Sequence, residues 1–152
     1  MKFKHTFAGI LATIMTLSGV SAFAAAESII IDGQAAEIPA EMGSIKEMDD
    51  RTFVPIRFVL EYLGCHVDWD DSNHAATVTT EDCAYIIQEN NPTLFKIPYT
   101  ATESINLTMD TVPFIDLNES RMYIPIRFLA EAIGYTVGWD EVTQTVTLTG
   151  AE

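Results

Sequence analysis

The chain has 152 residues, of which 48% are hydrophobic and 20% are charged, and its formal net charge is −14. This length is typical of one globular domain. Because a negative field repels phosphate groups, nucleic acid and anionic lipid are disfavoured as partners. The acidic residues are scattered along the chain, which favours a role in solubility over attraction to cations or basic surfaces.

Residues 1–26 have the pattern of a secretory signal peptide. Lys2 and Lys4 give a positive start, residues 7–20 are mostly apolar, and residues 22–26 supply small residues for cleavage. The apolar stretch is shorter than the roughly 20 residues of a membrane anchor. We therefore expect residues 27–152 to be secreted, extracellular or cell-wall associated, free of the membrane, with a net charge of −16 once Lys2 and Lys4 are removed.

Several short apolar runs predict strands before and between the stronger motifs. Residues 28–31 and 35–38 flank an Asp32-Gly33 turn and predict a hairpin, and residues 85–87 and 94–97 predict a second one around Asn90-Asn91-Pro92. Two further runs, 105–109 and 112–115, are also typical of strands. None of these segments resembles a flexible linker.

The strongest pattern is an internal repeat. Residues 51–80 align without a gap on residues 121–150, and 12 of the 30 aligned positions are identical, whereas chance would give roughly two. Each copy predicts a strand, a helix and a β-hairpin, with a proline at the first helical position and a glycine after the last. We therefore predict an α+β fold of two pseudo-repeats, about 28–82 and 83–150, in which mainly antiparallel sheet packs with two short helices.

Pairs of opposite charge recur at equivalent positions of the two predicted helices. Arg57 precedes Glu61 by four residues, and Arg127 precedes Glu131 in the same way, so each pair shares one helix face. Residues kept in both copies are first expected to build the repeated unit. We interpret the pairs as structural ties between helix and hairpin, with a ligand-binding Arg/Glu pair as the alternative.

Aromatic residues give a second set of candidates. Trp69 and Trp139 share a strand face with aliphatic neighbours, which predicts burial under the helix; the alternative is a platform that stacks on sugars. Tyr62, Tyr85 and Tyr99 have no equivalent in the other copy and are better candidates for a binding surface.

Of the cysteines and histidines of residues 27–152, Cys65, His66 and His74 lie in the first aligned copy, and Cys83 follows it by three residues. An exported chain permits a disulfide between Cys65 and Cys83, with two free thiols as the alternative. His66 and His74 are weak candidate metal ligands that could face each other across the hairpin. No metal-ligand spacing supports them, so we expect no cofactor.

The motifs VPIRFVLEYLGCHVDWD and IPIRFLAEAIGYTVGWD resemble the copper amine oxidase N-terminal-like domain, also called the stalk domain. Both copies satisfy the family pattern, a Pro-x-Arg-Phe helix followed by a Val-x-Trp-Asp hairpin, and the resemblance covers essentially residues 27–152. It implies a noncatalytic module, common in exported proteins of Gram-positive bacteria. The oxidase itself needs three histidine ligands and a tyrosine after an asparagine; residues 27–152 contain only His66 and His74, and none of the five tyrosines follows an asparagine.

The sequence therefore predicts a noncatalytic binding module, secreted or on the cell surface, that contacts an extracellular protein or a cell-wall glycan. The alternative is a structural subunit in which Ser28–Ile31 pairs with a neighbour's sheet edge and builds a homo-oligomer or filament. A metal-binding protein or small hydrolase is a remote alternative.

Overall fold

The computed structural model describes residue 26 and residues 28–151. The predicted signal peptide therefore lies, apart from Ala26, outside the described residues. In the described part of the chain, the strands and helices follow one another as β1 Ser28–Ile31, β2 Gln34–Ala35, β3 Lys46–Met48, β4 Arg51–Pro55, α1 Ile56–Tyr62, β5 His66–Asp70, β6 Ala75–Thr79, β7 Cys83–Gln88, β8 Thr93–Pro98, β9 Ile105–Thr108, β10 Phe114–Asp116, β11 Arg121–Pro125, α2 Ile126–Ala132, β12 Tyr135–Asp140 and β13 Thr145–Gly150.

These strands form three sheets. Two have four strands, in the orders β12-β13-β1-β2 and β10-β11-β4-β3, and the third has five, in the order β5-β6-β7-β8-β9. Within the described residues every pair is antiparallel except β1 with β13, which is parallel. The predicted α+β class, mostly antiparallel sheet with two short helices, is confirmed.

The sheet with the order β10-β11-β4-β3, which we call the central sheet because both helices contact it, joins the two aligned segments at matched positions. Val54 faces Ile124 where β4 pairs with β11, and these residues are matched in the sequence alignment. The outer neighbours differ, because β6 pairs with β7 in an antiparallel ladder whereas β13 pairs with β1 in a parallel one. The two segments therefore have the same element order but different surroundings.

A proline precedes each helix and a glycine follows its C-cap. Pro55 and Pro125 are the last strand residues and the N-caps, one position earlier than predicted. At the other end, Gly64 has a φ of 78°, which glycine adopts without a steric penalty. There Cys65 N–H donates to Leu60 O at 2.8 Å, the long hydrogen bond of a Schellman turn.

One hydrophobic core runs through the described residues and includes side chains from all three sheets. Tyr123 and Phe53 are the largest fully buried side chains, and the Phe114 ring lies 5.3 Å from each of their ring centroids. None of the helices in the described part of the chain is long and apolar enough to cross a membrane.

One face of the first strand packs into this core. Ile29 and Ile31 are 1% and 3% exposed, and β1 has β13 on one side and β2 on the other. The expectation that Ser28–Ile31 offers a free edge to a neighbouring chain is therefore wrong, because both of its edges are already paired within the chain.

Candidate binding grooves

A groove of about 370 Å³ lies beside the tryptophan of the first copy. Its apolar lining comes from the start of α1, from the β5–β6 hairpin and from the β10–β11 hairpin, and includes Ile56, Val67, Trp69, Ala76, Ile115 and Met122. Polar side chains at the rim include Arg57, Asp71 and His74, and Leu117, which is 85% exposed, stands beside them. We call this surface the tryptophan groove.

The two matched tryptophans lie in different environments. Trp69 is half-buried against the core, and its indole N–H donates to Asp71 Oδ1 at 2.6 Å. Trp139 is 39% exposed. The prediction that both are buried under a helix is therefore wrong for Trp139 and only partly right for Trp69. A seven-residue helix spans about 10 Å, so it covers Val67 but not the whole indole ring two residues further along β5.

The matched arginines do not tie helix to hairpin. Arg57 Nη1 lies 3.3 Å from Glu61 Oε1, and both side chains are almost half exposed. In the part of the chain that the structure describes, Arg127 and Glu131 form no ion pair. The structural interpretation of these pairs is therefore wrong, because an exposed pair at this spacing contributes only about 0.3–0.5 kcal/mol. Arg57 instead lines the tryptophan groove.

The aspartate after each tryptophan builds the hairpin turn. Asp70 Oδ1 accepts backbone N–H bonds from Ser72 at 2.8 Å and Asn73 at 3.3 Å, and Asp140 Oδ1 accepts equivalent bonds from the two matched residues. The Asn73 side-chain amide, together with these backbone groups, lowers the pKa of Asp70 below its ordinary value. The aspartates thus fix the turns, as Asx motifs do, which is why both copies contain them.

A second, larger cavity of about 740 Å³ lies between the C-terminal ends of the two helices and the β7–β8 hairpin. Three tyrosines line it, Tyr85, Tyr99 and Tyr135, together with Lys96 and Ile105. We call it the tyrosine cavity. It contains two of the three tyrosines that the sequence marked as binding candidates; Tyr62, which is 42% exposed, does not line it.

Cys65 and Cys83 both line the tyrosine cavity, and both thiols are free. Thr80 separates them: its N–H donates to Cys83 O at 3.0 Å, and the β5–β6–β7 register places Cys65 on its other side. Residues two strands apart are about 9.6 Å from each other, beyond the roughly 7 Å reach of a disulfide. The expectation of a disulfide between Cys65 and Cys83 is therefore wrong, and the alternative of two free thiols holds. Burial raises the pKa of the Cys65 thiol, and the nearby Cys83 raises it further.

A family comparison connects these observations to known proteins. The model of the copper amine oxidase N-terminal domain matches residues 30–148, which include both helix–hairpin segments. The chain belongs to this family. The copper amine oxidase N-terminal domain is a noncatalytic stalk domain. No curated protein and no solved structure matches the chain.

In this copper amine oxidase N-terminal domain, the two histidines proposed as metal ligands lie apart. His66 begins β5, whereas His74 follows the turn at the other end of the hairpin, level with Asp71 and about 16 Å away along the strand. His66 Nε2 lies 3.1 Å from Asp68, and His74 Nδ1 lies 2.9 Å from Glu89. The expectation that the two rings face each other is wrong. Among the described residues, no group of three or more potential ligands could hold a metal ion.

A charged cluster, which the sequence analysis missed, fastens β3 to the β10–β11 hairpin of the domain. Lys46 Nζ lies 2.8 Å from Asp116 Oδ2 and 2.9 Å from Glu119 Oε1. The Tyr123 hydroxyl donates a hydrogen bond to Glu119 Oε2. The Lys46 ammonium lowers the pKa of Asp116, whereas the Tyr123 hydroxyl and then Lys46 lower that of Glu119. We call these four residues the Lys46 cluster. The sequence separation of 70 residues between Lys46 and Asp116 hides the pairing from local patterns.

Proposed function

We propose that this copper amine oxidase N-terminal domain is a noncatalytic, secreted binding module whose tryptophan groove receives an apolar segment of an extracellular or cell-wall protein. The observation that carries the proposal is an apolar groove with a large exposed aliphatic side chain, Leu117, at its rim. Apolar surface of this kind is a frequent mark of protein interaction sites.

The chemistry of the groove favours a polypeptide over a glycan as its ligand. The Trp69 indole N–H is already bonded to Asp71, and most of the lining residues are apolar. A sugar needs several free donors and acceptors for its hydroxyl groups, whereas an aliphatic anchor needs only a desolvated apolar floor. Arg57, whose contact with Glu61 is exposed, supplies a positive group for an acidic residue beside the anchor.

Two exposed aliphatic residues allow a direct test. Leu117 is 85% exposed beside the groove, and Val142 is 92% exposed on the β12–β13 turn. An aspartate at position 117 or 142 removes no buried side chain, so the variants Leu117→Asp and Val142→Asp should both fold like the parent. We expect Leu117→Asp to weaken capture of an envelope protein by about tenfold and Val142→Asp to leave it unchanged.

The assay uses immobilised protein and the detergent-solubilised envelope fraction of the producing organism, with captured proteins quantified by mass spectrometry. A partner retained equally by Leu117→Asp and the parent would show that the groove is not the binding site. Capture of no protein by the parent itself would contradict the protein-binding function.

A further inference from the structure

The tyrosine cavity is a separate site with its own chemistry. It contains three of the five tyrosines of the chain, and its about 740 Å³ falls in the range of roughly 300–1,000 Å³ that small-molecule sites occupy. Tyr99 is 55% exposed and Ile105 is 48% exposed at its mouth, so water has access to the aromatic and apolar surface.

Tyr85 and Tyr135 form an uncharged part of the cavity wall. Tyr85 is 3% exposed, and its hydroxyl donates to Ala132 O at 3.1 Å, which anchors the ring to the end of α2. Burial raises the pKa of Tyr85 and of Tyr135 above the ordinary tyrosine value. Both phenols therefore stay neutral and keep their protons near pH 7.

Three charged side chains that line the cavity form no salt bridge among the described residues. Glu81 and Asp82 lie on the β6–β7 turn and Lys96 lies on β8. The Lys96 ammonium sits 5.6 Å from the Tyr85 ring centroid. Carboxylate acceptors and an ammonium donor thus surround an aromatic floor.

Charge narrows the class of ligand. The chain has a net charge of −14, and Glu81 and Asp82 add two local negative charges to the rim. Polyanions are therefore repelled. A neutral ligand that combines an apolar face with many hydroxyl groups matches both the rings and the rim, because the face stacks on tyrosine and the hydroxyls bond to carboxylates. A pyranose ring has both features.

We propose that the tyrosine cavity binds a neutral oligosaccharide, with Tyr99 as the stacking ring and with Glu81 and Asp82 as hydroxyl acceptors. This site is distinct from the tryptophan groove, because none of the residues that line one cavity lines the other. The domain then holds a protein partner and a neutral glycan at two places.

Isothermal titration calorimetry with cellotetraose and with tetra-N-acetylchitotetraose tests the proposal. Tyr99→Ala and Tyr62→Ala form a matched pair, since both rings are exposed to a similar degree and only Tyr99 lines the cavity. We expect Tyr99→Ala to weaken the binding of at least one oligosaccharide by about fivefold to tenfold. Tyr62→Ala should stay within about twofold of the parent.

Two further measurements separate this site from the tryptophan groove and from a charge effect. Leu117→Asp should bind the oligosaccharide like the parent, so failure of the protein-binding proposal leaves this result intact. Glu81→Gln with Asp82→Asn should weaken binding by about fivefold. Absence of binding by both oligosaccharides, equal losses in the two tyrosine variants, or tighter binding of polygalacturonate would each overturn the inference.

Discussion

Trp69 and Trp139 occupy the same motif position but meet different neighbours, and this difference decides their roles. The Trp69 ring has Ile115 and Met122 of the β10–β11 hairpin in the same groove. Thr52, which the repeat aligns with Met122, pairs instead with a polar residue, Glu47. A polar pair offers an indole ring less apolar surface than an aliphatic pair. Trp139 is the more exposed of the two tryptophans, at 39%.

Substitution of the two tryptophans should have unequal effects on stability. Full burial would make either change to alanine cost about 3–5 kcal/mol. Because Trp69 is half-buried and Trp139 is 39% exposed, we expect Trp69→Ala to lower the free energy of unfolding by about 2–3 kcal/mol and Trp139→Ala by about 1 kcal/mol. Urea unfolding followed by far-UV circular dichroism measures both values. Equal losses near the upper figure would show that Trp139 is a core residue after all.

Most of the elements are predicted by local sequence signals, although β3 is not and β2 is shorter than predicted. Gly64 and Gly134 follow the C-caps of the two helices, and Asp32-Gly33 forms the first hairpin turn with positive φ at both residues. Each of these signals acts within a few residues. The walls of the grooves could not be predicted in this way. Leu117 and Trp69 are brought together by pairing between distant strands, so Leu117 carried no signal in the sequence.

The Lys46 cluster fastens two such distant elements and makes their contact sensitive to acid. The folded-state pKa values of Asp116 and Glu119 lie below their ordinary values of 3.8 and 4.5. A carboxyl group with a lowered pKa stabilises the fold above its unfolded pKa and loses that contribution as the pH falls through the folded value. The cluster therefore weakens as the pH drops below about 4.5.

Lys46→Met should reduce this dependence, while the hydrogen bond from Tyr123 to Glu119 keeps part of it. We expect it to lower the free energy of unfolding by about 1 kcal/mol at pH 7, since the side chains keep some solvent contact, and to flatten the fall in stability between pH 6 and about pH 3. Lys96→Met is the control, because Lys96 forms no salt bridge among the described residues. Parallel pH profiles for Lys46→Met and the parent would contradict the assigned role of the cluster.

At the scale of the whole molecule, the first strand closes the fold onto the last one. Ser28 Oγ lies 2.7 Å from Thr145 Oγ1 across 117 residues of sequence, and Ile29 and Ile31 enter the common core. A repeat of strand, helix and hairpin predicts two similar halves, but it contains no information about which strand lies beside β13. Parallel pairing of the first and last strands depends on the whole chain and could not be predicted from local patterns.

This closure predicts that the two halves unfold together. Val54 and Ile124 pair at the centre, both helices contact the central sheet, and one core contains side chains from both segments.

Single-tryptophan variants report each half separately: Trp139→Phe leaves Trp69 as the probe, and Trp69→Phe leaves Trp139. We expect fluorescence and far-UV circular dichroism to give the same urea midpoint within each variant, because one cooperative unit has a single transition. Adding Ile31→Ala to either variant should lower the free energy of unfolding by about 2–4 kcal/mol, and should move the urea midpoint equally in both. If Ile31→Ala moved only the Trp139 signal and left the Trp69 signal in place, the halves would be independent units, and the closing strand would stabilise only the sheet in which it lies.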